Sequence, residues 1–137
     1  MMRPFAVPSH LSPDLTRVHA WWKGLLRGGA EMPFADDVNL TDLPDLAGRL
    51  ILLDVFERPE RFRASQVGDA LGQADLAGHF LDEASLAPPL DYLRAQCSAT
   101  VEAAAPSWFK ADGPARLLLP FWGEGRVSLL LGVIDPG

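Results

Sequence analysis

A single cysteine, Cys97, excludes an internal disulfide, and nothing in the cysteine usage points to an oxidising compartment. Histidine is scarce too: His10, His19 and His79 are scattered along the chain. With one cysteine they give no zinc-ligand spacing. Nothing in their positions suggests that one of them converges on a serine or cysteine as a nucleophile's base. No Gly-x-Ser-x-Gly elbow, phosphate-cradling loop or dinucleotide fingerprint occurs. The acidic pairs Asp36-Asp37 and Asp82-Glu83 are adjacent in sequence, so they do not share one face of a helix or strand.

Long apolar runs are absent. The longest span about six residues, far short of the roughly 20 that cross a bilayer. Met1-Met2-Arg3-Pro4-Phe5 lacks the apolar core and small-residue cleavage site of a secretion signal. Positive charge is thin, with 12 Lys and Arg against 18 Asp and Glu for a net charge of −6. Arg58, Arg61 and Arg63 are interleaved with Glu57 and Glu60, so no basic patch forms to displace counterions from a nucleic acid. These absences predict a cytoplasmic protein with no catalytic residues, no metal site, and neither nucleic acid nor membrane as partner.

What the chain has is enough apolar residue, 48% of 137, to bury one core, and it reads as one domain over residues 1–137. An extended lead over residues 1–13, punctuated by Pro4, Pro8 and Pro13, gives way to an amphipathic helix over 14–29. Ser12 or Asp14 caps it, and Gly28-Gly29 follows its end at about Arg27. Leu15, Val18, Trp22, Leu25 and Leu26 form its apolar stripe, with Trp21 at the border. Such a helix must cover something, either its own sheet or a second copy. A polar connection over 31–39 and a short helical turn over 41–46 precede two strands, 50–57 and 61–67, joined by Arg58-Pro59. Short helices and turns occupy 68–83.

Pro88-Pro89 opens a longer helix whose Leu90, Leu93, Cys97, Val101 and Ala104 share a face, and Pro106 stops it. Three strands complete the chain: 107–111, 115–122 and, after Gly123-Glu124-Gly125, 126–134. The last two are apolar on both faces, with Leu117, Leu119 and Phe121 on one and Leu118 and Trp122 on the other. A hairpin with one wet face would alternate apolar with polar. Both faces are therefore expected to be covered, one by the core and the other by the N-terminal helix or a partner subunit.

The order helix, two strands, short helices, longer helix, three strands resembles the PAS fold, an α+β fold. It has a five-stranded antiparallel sheet with helices between strands 2 and 3, here over 50–135 and preceded by an N-terminal amphipathic helix. Several segments are similar to a bacterial subgroup of compact, single-domain PAS proteins. They are Ala20-Trp21-Trp22, Leu25-Leu26-Arg27-Gly28-Gly29, Met32-Pro33 and Asp37-Val38-Asn39 in the N-terminal signature, then Leu50–Val55 as its first strand. Phe62-Arg63 with Val67-Gly68, Asp75-Leu76-Ala77-Gly78 with Phe80–Glu83, and Leu117–Pro120 follow in the family's order. The chain departs from the pattern at Ala35, where the motif has Arg, and at Asn39, Leu40 and Ala77, where it has Asp, Pro and Thr.

The resemblance implies a stand-alone sensory module that carries no chemistry of its own. It would bind a small apolar ligand or a signalling partner protein, and pair as a homodimer. Its cavity would lie between sheet and longer helix, walled by Phe62, Tyr92, Leu93, Cys97, Trp108 and Phe121, the plainer alternative being that these side chains fill the core. Trp21, Leu25, Leu118 and Trp122 are the expected interface residues. The cofactor is unknown. Haem would want an axial His on the longer helix, where there is none, and Cys97 lies on its apolar face. The covalent flavin chemistry of light-sensing relatives needs a cysteine where His79 stands. A ligand-free interaction adaptor is the near rival. The remoter one is a cone-shaped enzyme of the ketosteroid-isomerase or NTF2-like type, which would carry an Asp–His or Asp–Tyr pair inside the cone.

Overall fold

The structure is a computed structural model that describes residues 5–110 and 113–137. Met1–Pro4 of the expected lead, and Ala111, where the expected third strand ends, lie outside them. The domain is α+β, built on a five-stranded antiparallel sheet with few helices.

Helix α1 (Pro13–Gly24) starts where the sequence provides a start. The Ser12 side chain accepts from the Leu15 amide, Pro13 occupies the first turn, and Asp14 and Lys23 sit at the ends that the helix dipole favours. It stops at Gly24, one turn short of the expected Arg27, and Leu25 to Gly29 form turns instead. Short 3-10 turns then carry the chain to β1 (Leu50–Phe56) and β2 (Arg61–Val67), and further 3-10 turns follow β2. Helix α2 (Leu93–Ala103) begins later than the Pro88-Pro89 signal, because Tyr92 at its N-cap is left-handed, with φ 60°. Left-handed Ala104 ends it, and β3 (Ser107–Lys110), β4 (Ala115–Gly123) and β5 (Arg126–Asp135) complete the chain.

The strands lie in the order β2-β1-β5-β4-β3, and every neighbouring pair is antiparallel. Paired residues point to the same side of a sheet, so the register fixes the two faces. Ile51, Gly132, Leu118 and Ser107 pair across four strands, and the Ser107 hydroxyl meets Gln96 and Thr100 of α2. That row therefore belongs to the inner face, under α2. Leu117, Leu119 and Phe121 belong to the outer face, under α1, where Trp21 packs edge-on to Phe121 at 6.2 Å and the Trp22 indole donates to the Pro120 carbonyl at 2.9 Å. One apolar cluster runs through the sheet into both layers, with Leu15, Val18 and Trp22 on one side and Leu90, Leu93 and Cys97 on the other. Among the described residues no helix is long and apolar enough to cross a membrane.

Candidate functional site

Helix α1 and the 3-10 turn over Pro44–Arg49 cover the outer sheet face across β4 and β5. They are clasped to each other by Arg17 to Asp45 at 2.6 Å and Arg49 to Asp14 at 2.8 Å, and the Trp21 indole donates to Asp42, just before that turn, at 3.1 Å. The β1–β2 side of that face lies open, and the β4–β5 hairpin overhangs it. An open cleft of about 680 Å3 results, lined by Asp54, Phe56 and Arg63 of the two strands, by the neighbouring Phe34 and Trp122, and by Arg126.

Sequence and register explain each group. Asp54 and Arg63 are direct cross-strand partners and form an ion pair at 3.0 Å, while the Arg63 guanidinium lies 5.2 Å from the centre of the Phe56 ring. Arg126 donates to the Val55 carbonyl at 2.7 Å and pairs with Glu57 at 3.5 Å, tying the hairpin to β1. The Trp122 amide donates to the Pro33 carbonyl at 2.8 Å, which brings the loop from α1 alongside the hairpin. Arg27 grips Asp37 through two nitrogens, at 2.6 and 2.9 Å, and lies 5.4 Å over the Phe34 ring. Phe34 and Trp122 are therefore held in place yet remain 40% and 36% exposed. Two large apolar side chains fixed at the rim of one cleft are a site for contact, because held side chains lose little further freedom when a partner covers them.

The inner layer is packed differently. Phe62, Leu93, Cys97 and Leu118 are buried together between the sheet and α2. Beside them lies a buried polar cluster that the helical face Leu90, Leu93, Cys97, Val101 and Ala104 does not include. Arg116 is only 2% exposed. Its guanidinium donates to Gln96 Oε1 at 2.6 Å, the Pro89 carbonyl at 2.8 Å and the Asp91 carbonyl at 3.0 Å. Gln96 donates in turn to Ser107 Oγ and the Arg116 carbonyl, and Thr100 Oγ1 completes the set 2.6 Å from Ser107 Oγ. Burial pushes the Arg116 pKa down to about 10, and it pushes the Cys97 thiol well up. A thiol so placed is neither a ready nucleophile nor an accessible ligand.

The expected cavity residues divide three ways. Phe62, Leu93 and Cys97 meet on the inner side, but Phe121 faces α1 and Trp108 pairs with Leu117 on the outer face. Tyr92 stands outside, 68% exposed, 5.8 Å from the Phe109 ring. The left-handed backbone that delays α2 turns it out. Of the expected interface residues, Trp21 and Leu25 are half-buried against the chain itself, and Trp122 lies at the cleft rim. Leu118 is a correction: it is fully buried beneath α2 and presents nothing to a second chain. Sequence reasoning missed Arg116, although a lone charge at the head of an apolar strand was the signal for it. It also missed Phe34, an isolated aromatic in a polar connection.

Among the described residues, no group of three or more His, Cys, Asp or Glu side chains is gathered as a metal site. No protein-family model matches the chain, and no curated protein or solved structure matches it significantly.

Proposed function

We propose that the chain is a PAS-type regulatory module that acts by contact, self-associating through the open half of its outer sheet face. The strand order β2-β1-β5-β4-β3, with helix α2 between β2 and β3, supports the PAS reading. The arginine that the resemblance places at position 35 is absent, and Arg27, in the turns that follow α1, holds Asp37.

The observation that carries the functional reading is the Phe34–Trp122 cleft. There, Phe34 is held exposed beside a sheet face that the chain's own helix leaves bare, and the exposed Trp122 at the end of β4 borders the same cleft. A second copy is the occupant that this chemistry fits. The cleft holds both signs of charge, Asp36, Asp54 and Glu124 with Arg63 and Arg126, around aromatic surface, a mixed patch that can be self-complementary across a two-fold axis. Signal would pass to a partner protein by a change in this packing.

The tight inner layer favours a contact adaptor over a sensor with an interior ligand, since Phe62, Leu93, Cys97 and Arg116 occupy the space between sheet and α2. The exposed Tyr92 gives no support to a catalytic pair inside a cone. Amide hydrogen exchange compared between low and high micromolar protein tests the reading. Protection that rises with concentration at Pro33–Asp36 and Trp122–Ser128 supports it. Exchange independent of concentration throughout the chain refutes it.

A further inference from the structure

A second cleft, of about 650 Å3, lies at the β3 edge of the sheet, where both helical layers come within reach of one another. That is within the roughly 300–1,000 Å3 of small-molecule sites. Its walls are Phe5 from the lead and Ala99, Ala103 and Pro106 from the corner between α2 and β3. Its polar side chains are His19 from α1, Glu102 from α2 and Ser107 of β3, whose hydroxyl is already bonded to Gln96 and Thr100.

The gap has identifiable causes. The Trp108 amide donates to the Phe5 carbonyl at 2.9 Å and the Phe5 ring stands 6.1 Å from that of Phe109, so the lead is pinned to β3 and held off α2. Across from it, α2 presents alanines and ends at Ala104 in the left-handed conformation, φ 51°. The polar groups set the chemistry. Glu102 offers a carboxylate, and His19 an imidazole that burial, aided by Lys23, keeps toward its neutral form, with one ring nitrogen as an acceptor. Among the described residues that line the cleft, none is Lys or Arg. With a net charge of −6 on the whole chain, an apolar wall with acceptors at its rim selects a cation carrying an apolar body.

We propose that this cleft binds a small aromatic or alicyclic amine, its ring against Phe5 and the alanines and its ammonium group between Glu102 and His19. A ligand there touches the lead, α1 and α2 at once, so it biases how the two layers sit on the sheet edge. The inference stands apart from self-association: the Phe34–Trp122 cleft shares no residue with it, and either can fail alone.

The test is an NMR titration of the full chain with tryptamine, and with indoleacetate as the same ring bearing the opposite charge. Tryptamine is expected to move the Ala99, Ala103 and His19 signals and to bind about tenfold more tightly than indoleacetate. Glu102→Gln should erase that preference, and Ala103→Phe should fill the cleft and abolish binding while circular dichroism stays unchanged. Both positions are exposed; should Ala103→Phe nonetheless unfold the chain, the Glu102→Gln comparison decides alone. Three results would overturn the proposal: no shifts at millimolar tryptamine, shifts confined to the Phe34–Trp122 cleft, or equal affinity for indoleacetate.

Discussion

At the scale of single residues, Arg116 is the most consequential side chain in the core. Its charge is buried among three neutral acceptors, each of which would lose its donor if the guanidinium were removed. Arg116→Met should therefore lower stability by about 2–4 kcal/mol, measured by urea denaturation, because buried acceptors left unpaired keep their desolvation cost. His19 gives a prediction of a different kind. Burial, aided by Lys23, holds its pKa below the ordinary 6.5, so as pH falls the unfolded chain takes up the proton first. Stability should decline through a window opening below pH 6.5 and level off beneath the folded value, and His19→Asn should remove that part of the slope. Urea midpoints at about pH 7 and about pH 5 check it. At this scale the sequence was only partly legible. Trp22 and Cys97 announce their burial by their place on an apolar stripe. Arg116 does not, because its acceptors Pro89, Asp91 and Gln96 belong to a distant part of the chain that only the folded register brings to it.

At the scale of elements, the hold of α1 on the sheet concentrates in Trp22, whose ring is buried and whose indole N–H reaches the Pro120 carbonyl. Trp22→Ala should cost about 3–5 kcal/mol, and Trp22→Phe, which keeps the ring but loses the hydrogen bond, about 1 kcal/mol. The centre of the sheet offers a second check. A Cβ on Gly132 would come within 2.7 Å of Ile51 Cγ2 and 2.9 Å of Leu118 Cδ2, so Gly132→Val should overpack the inner face by about 1–3 kcal/mol in thermal or urea melts. The strands and both helices were readable from periodicity and turn residues, with α1 ending a turn early and α2 starting late. What could not be read was which side of the β4–β5 hairpin faces which helix. Leu118 and Phe121 sit on opposite faces of a strand that is apolar on both, so alternation separates the two sets without saying which set α2 takes. The backbone turn at Tyr92, which throws the one tyrosine outward, likewise left no mark in the apolar pattern.

At the scale of the whole molecule, the domain is asymmetric. One face of its sheet is closed by α2 and a satisfied polar cluster, whereas the other is closed across β4 and β5 by α1 and left open beyond, at the Phe34–Trp122 cleft. The sequence made that asymmetry half visible, since the double-sided hairpin called for cover on both faces and the Trp-bearing helix could supply only part of it. Sedimentation velocity across a micromolar concentration series, on the wild-type chain and on the Phe34→Ser/Trp122→Ser variant, tests the central claim most directly. The account predicts a wild-type dimer that dissociates on dilution and a folded variant that stays monomeric throughout. A wild-type chain monomeric at every concentration, or a variant that dimerises as tightly as wild type, would contradict it.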